Sequence, residues 1–249
     1  MRWKVMEVLF LGTRGWYPKY GHTACVVVRT GKADLIFDCG TGAALLRDVL
    51  RLEGETHLFL SHFHLDHVVG LSFLLGAFRG KKLTIWGQEG VEQIVRRLLS
   101  PPYFPVEIDR WPFEVAFGEL EGNRKVADAE ITALPLEHSN PSLGFRAGAG
   151  GRSLAYITDT RKCANAVKLA RGVDLLIHEA TYSERGRVGD GHSTGKEAGE
   201  VAREAGAKRL LLFHNDAECD EKCAKEILAE ARGEFPGCGR AKDGMKVRV

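Results

Sequence analysis

The stretch HLFLSHFHLDH places an apolar run directly before three histidines and an aspartate. The apolar run predicts a buried strand over residues 57–62. Residues two apart on a strand point to the same side, so His62 and His64 can both reach one ion. Asp66 and His67 then face the start of the following helix. Imidazole nitrogen and carboxylate oxygen suit zinc, iron or manganese, while a pH-sensitive surface patch and a structural cluster are the alternatives.

Apolar runs of strand length and helical patterns fill the rest of the chain. The strand patterns lie at residues 5–12, 24–31, 33–40, 82–87, 113–120, 129–138, 143–148, 153–160, 173–180, 209–214 and 245–249. The helical patterns lie at residues 41–54, 91–100, 162–171, 193–207 and 220–232. No stretch rich in Pro, Gly or Ser separates two compositional regimes, and no short-period repeat is visible. The sequence therefore predicts a single α/β domain over residues 1–249, with sheets covered by helices.

The composition is that of an ordinary globular protein, with 44% hydrophobic and 27% charged residues. A formal net charge of only +2 gives no general electrostatic reason for nucleic acid to be the main partner. No stretch approaches the ~20 apolar residues of a membrane span, and nothing resembles a secretory signal. Six cysteines without a C-x-x-C pair predict reduced thiols and a cytoplasmic location.

Three further ligand-capable residues follow apolar strand patterns. His138 comes after TALPLE, Asp159 after LAYIT and His214 after LLLF. Strand ends are where α/β proteins build their sites. A single histidine is more often a satisfied core residue than a ligand. Seven ligand-capable residues in one pattern favour a metal site instead.

The pattern H-x-H-x-D-H, followed by a lone His, a lone Asp and a lone His at strand ends, resembles the metallo-β-lactamase fold superfamily. FDCGTG at residues 37–42 matches its early Asp-containing motif. The resemblance implies an α/β fold in the form of a four-layer αβ/βα sandwich, with two divalent metal ions at one edge, either Zn²⁺ or else Mn²⁺ or Fe²⁺. The implied ligands are His62, His64 and His138 for the first ion and Asp66, His67 and His214 for the second, with Asp159 bridging both and Asp38 supporting the ligands.

Two elements in the second half resemble the ribonuclease Z branch and its phosphodiesterase relatives. Glu179 lies in HEATY and His192 in GHST. The resemblance implies that the glutamate orients the histidine, which then protonates the departing oxygen. The alternatives are a surface glutamate and a helix-start histidine beside a Ser193 N-cap.

Three departures disfavour a tRNA 3′-processing enzyme and the binding of a long tRNA. Only about twenty residues join His138 to Asp159, enough for a hairpin and too few for the tRNA-gripping arm of ribonuclease Z. The N-terminal Pro-x-Lys-x-Arg-Asn loop of that enzyme is replaced by YPKYGHTA at residues 17–24. The Ser-x-Arg-Tyr expected after the last metal histidine is replaced by NDAECDEK after His214.

The sequence thus predicts a metal-dependent hydrolase that cleaves phosphodiester bonds of a small-molecule or nucleotide substrate by a metal-bridging hydroxide, which Asp66 aligns. The alternatives are a tRNA 3′-end endonuclease, a hydrolase of a carbonyl substrate such as a lactone or thioester, and a metal-bound protein without turnover. A homodimer is a further expectation, to which the apolar segment 71–78 contributes unless it forms a buried helix. The loop aromatics are candidates for stacking on a base or for packing: Trp16, Tyr17, Tyr20 and Tyr103.

Overall fold

The computed structural model describes residues 6–51, 53–189 and 191–249, and within them the chain forms two seven-stranded sheets. The first sheet contains β1 (Glu7–Gly12), β2 (Cys25–Arg29), β3 (Ala33–Phe37), β4 (Glu55–Phe59), β5 (Lys82–Gly87), β6 (Glu114–Glu119) and, from the end of the chain, a strand at Lys246–Arg248. The second sheet contains β7 (Gly122–Val126), β8 (Ala129–Leu136), β9 (Ser142–Ala149), β10 (Arg152–Ile157), β11 (Leu175–Glu179), β12 (Leu210–Phe213) and β13 (Cys238–Arg240). The strand at Lys246–Arg248 is β14, and it pairs with β1.

The helices lie between the strands and are mostly short. The α-helices are α1 (Leu46–Val49), α2 (Leu65–Val68), α3 (Leu74–Ala77), α4 (Val91–Leu98), α5 (Ala164–Ala170), α6 (Gly195–Ala205) and α7 (Glu221–Glu234). Three 3₁₀ turns among the described residues add to them at Thr41–Leu45, Val69–Phe73 and Ile108–Arg110.

Both sheets change from antiparallel to parallel pairing partway across. The first has the order β14-β1-β2-β3-β4-β5-β6 and is parallel from β3 onward. The second has the order β13-β12-β11-β10-β9-β8-β7 and is parallel from β10 to β13. The carboxyl ends of parallel strands meet at one edge of a sheet, so the loops there can bring polar side chains together.

The two sheets pack face to face through aromatic side chains. The ring of Phe37 stacks on Phe59 with centroids 5.3 Å apart and on Tyr156 at 5.4 Å. Phe145 and Phe213 complete this core from the second sheet, and all five side chains are fully buried. Burying a side chain of this size contributes about 1.5–3 kcal/mol relative to leaving it exposed, so the contact between the sheets is a major part of the stability.

Helices cover the outer face of each sheet. On the first sheet the apolar cluster joins Leu58, Ile85, Leu46, Leu74 and Val95. On the second sheet the matching cluster joins Leu176, Leu212, Leu169, Val201 and Ile227. The order of layers is helix, sheet, sheet, helix, which confirms the predicted α/β sandwich of four layers.

The helical pattern at residues 41–54 forms less helix than the sequence predicts. The 3₁₀ turn Thr41–Leu45 is followed by α1, a single turn. A Cβ at Gly42 would lie 2.7 Å from the backbone nitrogen of Gly12. This segment therefore follows its close packing against β1 rather than the helical spacing of its own apolar residues.

The sequence does not predict two of the strands, β7 and β13, for two different reasons. β7 (GNRKV) is an edge strand whose middle residues are exposed, so it has no apolar alternation. β13 (CGR) has only three residues and is set by its parallel pairing with β12. Neither strand has a signal that a reading of local periodicity can find.

The apolar segment 71–78 is buried. Leu71 in a 3₁₀ turn, Leu74 in α3 and Phe78 directly after α3 are at most 3% exposed, so the segment does not form one continuous helix. The burial of these side chains favours the core role over a dimer contact for this segment. In the part of the chain that the structure describes, no helix combines the length and the apolar character needed to cross a membrane.

The prediction of reduced thiols is wrong for two of the six cysteines. Cys219 and Cys223 form a disulfide, while the other four cysteines are buried and free. Cys219 precedes the N-cap of α7 and Cys223 lies in its first turn, which brings their Cα atoms to 5.3 Å. This separation is within the usual range for a disulfide.

Helix α6 begins one residue later than the sequence predicts. The N-cap is Thr194 rather than Ser193, and Thr194 forms a capping box with Glu197. The Ser193 hydroxyl instead donates to the carbonyl oxygen of Thr160 at 2.7 Å. That bond ties the segment carrying His192 to the loop after β10.

Candidate metal centre

Polar side chains converge at the edge where the parallel strands of both sheets end. From the first sheet come Asp38, directly after β3, and the histidine-rich segment after β4. From the second sheet come His138 after β8, Asp159 after β10, Glu179 at the end of β11 and His214 after β12. The strand ends that the sequence predicts as site positions therefore meet in space.

The predicted strand over residues 57–62 does not reach the histidine cluster. β4 ends at Phe59, so His62 lies in a loop and His64 is the N-cap of α2. The expectation that both histidines point to one side of a strand is therefore wrong. The loop nevertheless brings their rings together, with centroids 4.5 Å apart.

Four of the predicted ligands form one cluster: His62, His64, His138 and Asp159. The distance to Asp159 Oδ2 is 3.6 Å from His62 Nε2 and 3.7 Å from His138 Nε2. His64 Nδ1 lies 3.4 Å from His138 Nε2. His62 Nε2 is buried and has no hydrogen-bond partner among the described residues. A buried polar atom without a partner is costly, and a cation in this cluster would satisfy it.

The other three predicted ligands, Asp66, His67 and His214, form a second cluster beside the first. His67 Nε2 and His214 Nε2 lie 3.0 Å apart. Both nitrogens approach Asp66 Oδ2, at 3.5 Å and 3.4 Å respectively. Two imidazole nitrogens and a carboxylate oxygen aimed at one point are a donor set that fits a divalent cation such as zinc.

Asp159 lies between the two clusters and faces both. Its Oδ2 points to the first cluster, while its Oδ1 lies 3.2 Å from His67 Nε2 and 3.3 Å from His214 Nε2. Burial would raise the pKa of this carboxyl group, but the charges of His214 and His67 outweigh it and hold the pKa well below its usual range. Asp159 is therefore ionised, with one oxygen available to each cluster.

Asp38 lies beneath the second cluster as a buried hydrogen-bond acceptor. Its Oδ2 accepts from His67 Nδ1 at 2.8 Å, from the Tyr156 hydroxyl at 2.8 Å and from Ser61 Oγ at 3.0 Å. Its Oδ1 accepts from the Ser61 backbone N–H at 2.8 Å. Because His67 donates through Nδ1, its Nε2 faces the second cluster.

The other rings are fixed in the same way. His62 Nδ1 is 2.9 Å from Ser61 Oγ, and His138 Nδ1 donates to the carbonyl oxygen of Gly191 at 2.7 Å. His214 Nδ1 lies 3.3 Å from the Thr181 hydroxyl oxygen. Each of these three rings therefore has Nδ1 held by the protein and Nε2 directed to the clusters.

Several residues of the centre have a left-handed backbone that side chains rarely adopt. The φ angles are 58° at Asp38, 44° at Asp159, 57° at His214 and 65° at Trp16. Such a conformation costs on the order of 1–3 kcal/mol at each non-glycine residue and persists only where the surroundings enforce it. The chain thus maintains strained geometry at the centre, a property common at functional sites.

Glu179 and His192 form the hydrogen-bonded pair that the sequence predicts. His192 Nδ1 donates to Glu179 Oε1 at 3.0 Å. Glu179 is fully buried and also accepts from the Thr160 N–H and the Thr181 hydroxyl, both at 2.7 Å. Glu179 is therefore not a surface residue, and the alternative for His192, a helix start beside a Ser193 N-cap, does not hold because the N-cap is Thr194.

The pair has the electrostatics of a proton donor. Burial alone would lower the pKa of His192, but the charge and the hydrogen bond of Glu179 outweigh it and raise the pKa to about 9. Burial would raise the pKa of Glu179, yet the nearby His192 cation keeps it below its usual value. At neutral pH the pair is therefore an imidazolium held by a carboxylate.

A cleft of about 380 Å³ opens above the two clusters. Its lining includes Trp16, His64, Asp66, Asp159, Tyr182, Val188, His192 and His214. This volume is at the lower end of the ~300–1,000 Å³ found for small-molecule sites. The cleft brings the predicted acid, the predicted ligands and open space for a substrate to one place.

Several supporting residues are missing from the sequence prediction. Ser61 adjoins the histidine motif and Thr181 lies two residues after Glu179, so each carries a local signal. Tyr156 contacts Asp38 from 118 residues away and has none. Asn140 approaches His64 Nε2 at 2.6 Å from the loop after His138. A 180° rotation of its amide would let its oxygen accept a proton from that nitrogen, leaving Nδ1 free for the cluster.

This four-layer sandwich, with a His/Asp cluster at the strand ends, defines the metallo-β-lactamase class of fold. The family model described as Beta-lactamase superfamily domain matches residues 34–215. The chain therefore belongs to this superfamily, as the sequence motifs predict. It is 30% identical to ribonuclease Z of Methanothermobacter thermautotrophicus, over 98% of this chain and 97% of that protein.

Two solved structures extend the likeness. YhfI of Bacillus subtilis, a metallo-β-lactamase fold protein, has a TM-score of 0.83 and 23% identity over 98% of this chain and 99% of its own. The short form of human tRNase Z has a TM-score of 0.71 and 26% identity over 97% of this chain and 98% of its own.

The alignment with the archaeal ribonuclease Z also reveals what this chain lacks. It spans 306 positions, more than the 249 residues here, so the relative contains segments without a counterpart. Between His138 and Asp159 this chain has the β9–β10 hairpin and no longer insertion. The prediction of a ribonuclease Z-like chain without the arm is confirmed.

Proposed function

We propose that this protein is a metal-dependent hydrolase that cleaves phosphodiester bonds with two divalent ions, Zn²⁺ or else Mn²⁺ or Fe²⁺. The observation that carries the proposal is the Glu179–His192 pair, which opens onto the same cleft as the His/Asp clusters. An ester of phosphoric acid with an alkoxide leaving group needs both charge neutralisation and a proton donor.

The ligands follow the two clusters. We assign the first ion to His62, His64 and His138, and the second to Asp66, His67 and His214, with Asp159 shared between them. The imidazole nitrogens that face the clusters, and the unpartnered His62 Nε2 among them, support this assignment. The ions would supply acidity to a water molecule and positive charge for the phosphate oxygens.

The side chains of this chain then divide the remaining work. Asp66 accepts a hydrogen bond from the attacking water and so directs its lone pair to phosphorus. The attacking water releases one proton to the solvent, and its oxygen forms the new bond to phosphorus while the bond to the leaving oxygen breaks. The electron pair left on that oxygen takes the proton from His192 Nε2.

Glu179 is the positioning residue for this proton transfer. By accepting a hydrogen bond from Nδ1–H it holds His192 with Nε2 toward the cleft and stabilises the imidazolium. Its other hydrogen bonds, from Thr160 and Thr181, prevent it from turning away. Positive charge from bound ions would lower the pKa of His192 from about 9 toward neutrality, which suits a general acid.

The proposal extends to substrate and setting. A cleft of about 380 Å³ and the missing arm favour a small-molecule or nucleotide diester over a long tRNA. One domain over residues 1–249 is supported by the core shared between the sheets. The cytoplasmic location and the homodimer stay predictions. The four free cysteines are consistent with the first while the Cys219–Cys223 disulfide argues against it, and no described contact bears on the second.

The test is hydrolysis of bis-p-nitrophenyl phosphate by protein of known metal content, with wild type against His192→Ala and His64→Ala. We expect His64→Ala to lose metal and activity together. His192→Ala should keep both ions and lose about 100-fold or more in turnover. Because p-nitrophenolate leaves easily, an alkyl ester gives the decisive comparison. Equal metal loss in the two variants would contradict the division of roles.

A second candidate is cleavage at the 3′ end of a tRNA precursor, which the likeness to ribonuclease Z supports. It predicts cleavage of a precursor tRNA with a kcat/KM well above that for a dinucleotide. A carbonyl substrate such as a lactone or thioester is the third candidate. Its leaving group needs less help, so His192→Ala would have little effect on that reaction.

A further inference from the structure

One large aromatic side chain stands open at the mouth of the cleft. Trp16 is 69% exposed and lines the same cleft as the His/Asp clusters. Its ring has one ring contact among the described residues, an edge contact with Tyr17 at 5.1 Å. A face of the indole is therefore available to a flat ligand.

The position of Trp16 is tied to the clusters. Its backbone N–H donates to Asp66 Oδ2 at 2.7 Å, and the neighbouring Gly15 N–H donates to the Asn215 carbonyl oxygen at 3.0 Å. Its left-handed φ of 65° is the conformation in which these bonds form. The backbone of Trp16 is thus held beside the clusters by main-chain contacts, and its side chain lines the cleft above them.

The surroundings of the indole are suited to a flat, amphipathic group. Val188, 72% exposed, lines the same cleft and offers a second apolar surface. Apart from Gly15, the remaining lining residues have polar or ionisable side chains, with the imidazole of His192 and the carboxylate of Asp216 among them. A nucleobase combines a stacking face with a polar edge and so matches both kinds of lining better than an alkyl chain does.

We propose that Trp16 is the stacking platform for a nucleobase, so that the substrate is a phosphodiester in which one esterified alcohol belongs to a nucleoside. This inference rests on the proposed phosphodiesterase function and specifies its substrate class. The base stacks on the indole while the phosphate of the same nucleotide lies at the clusters. Stacking of a base on an aromatic side chain strengthens binding by about tenfold or more.

The test compares three esters with the same p-nitrophenolate leaving group: thymidine 5′-(p-nitrophenyl phosphate), methyl p-nitrophenyl phosphate and hexyl p-nitrophenyl phosphate. For wild type we expect kcat/KM for the thymidine ester to exceed that for the methyl ester by about tenfold or more. Trp16→Ala should bring this ratio close to one, mainly through KM, and Trp16→Phe should restore most of it. Tyr103→Ala is the control, because Tyr103 is 70% exposed but does not line the cleft.

Two results would overturn the platform and leave the proposed function standing. One is an unchanged ratio in Trp16→Ala. The other is a hexyl ester as good as the thymidine ester, which would indicate a general apolar site. A further experiment compares the KM for a dinucleotide with the KM for an eight-nucleotide strand. Equal KM values support recognition of a single base. A KM more than tenfold lower for the strand indicates that several nucleotides are bound and overturns Trp16 as a platform for one base.

A binding measurement separates failure of the platform from failure of the proposed function. Adenosine 5′-monophosphate should quench the tryptophan fluorescence of wild type and of Tyr103→Ala, and ribose 5-phosphate should not. In Trp16→Phe the quenching should disappear. If no ester is hydrolysed but this quenching is seen, the phosphodiesterase proposal fails and the base site stands. Quenching that survives in Trp16→Phe would refute the site.

Discussion

Replacing Gly15 by alanine would test the position of His214. A Cβ at residue 15 would lie 2.4 Å from His214 Cε1, 2.7 Å from Nδ1 and 2.8 Å from Nε2. Comfortable contacts between such atoms are about 3.5–4.0 Å, so the ring must move by about 1 Å. Metal–ligand distances tolerate a change of only about 0.2 Å. His214 would therefore lose the position in which it meets Asp66 and His67.

We expect Gly15→Ala to bind one ion normally and the other weakly. The first cluster draws its histidines from elsewhere and stays intact, whereas affinity at the second cluster should fall by about 100-fold or more. The assay is the metal-to-protein ratio by plasma mass spectrometry after equilibration at a series of buffered free zinc concentrations. Two binding steps in wild type should become one in the variant over the same range.

Gly76→Ala is the matched control. A Cβ at Gly76 meets nothing within 4 Å, and the residue lies in α3, where alanine is the better helix former by about 0.5–1 kcal/mol. This variant should keep two ions with unchanged affinity. Two ions bound as tightly in Gly15→Ala as in Gly76→Ala would refute the role of the His214 ring. Loss of both ions with an altered circular dichroism spectrum would assign Gly15 to the fold instead.

Three further predictions concern proton transfer, the buried acceptor and acid stability. In His192→Ala, kcat on an alkyl phosphodiester should fall by about 100-fold or more at unchanged metal content, as measured by steady-state kinetics with metal analysis. A maintained kcat would contradict the role of His192 as the acid. Tyr156→Phe removes one hydrogen-bond donor to buried Asp38 and should lower the free energy of unfolding in urea by about 1.5–3 kcal/mol while both ions still bind. An unchanged urea midpoint would show that another donor replaces the Tyr156 hydroxyl. The hydrogen bond from Lys208 helps lower the pKa of Asp174 to about 2. The stabilisation that ionised Asp174 contributes is therefore complete above about pH 4 and lost as the pH falls through 2. Asp174→Asn should lower the free energy of unfolding by about 1 kcal/mol at neutral pH and by nothing below about pH 2, which urea unfolding across this range would measure.

The strand ends were predictable because local periodicity carries them. The apolar run before Asp159 and the one before His214 each end in a polar residue, and buried parallel strands bring such ends to one edge. The histidine motif was recognisable for its spacing, although the predicted alternation of His62 and His64 along a strand is wrong. His62 and His64 meet because a loop and a helix start hold them, not because a strand aligns them.

The support beneath the ligands was not predictable, because it depends on contacts between distant parts of the chain. Asp38 and Tyr156 belong to different sheets and meet across the central core. The requirement for glycine at residue 15 arises from the imidazole of His214, which is almost two hundred residues further along the chain. The local sequence pattern indicates neither of these two contacts. Thr181, in contrast, lies two residues after Glu179, so its role could have been predicted from its position in the sequence.

The division of the centre between the two sheets has a consequence for assembly of the fold. His67 is delivered by the first sheet, and Asp159 and His214 by the second, so an ion bound as proposed fastens one half of the molecule to the other. Ligand binding stabilises a folded state by about 4 kcal/mol at a free concentration 1,000 times Kd. Zinc availability would then govern how tightly the halves close on each other. Two fragments divided between β6 and β7 should associate more strongly with zinc than with a chelator present.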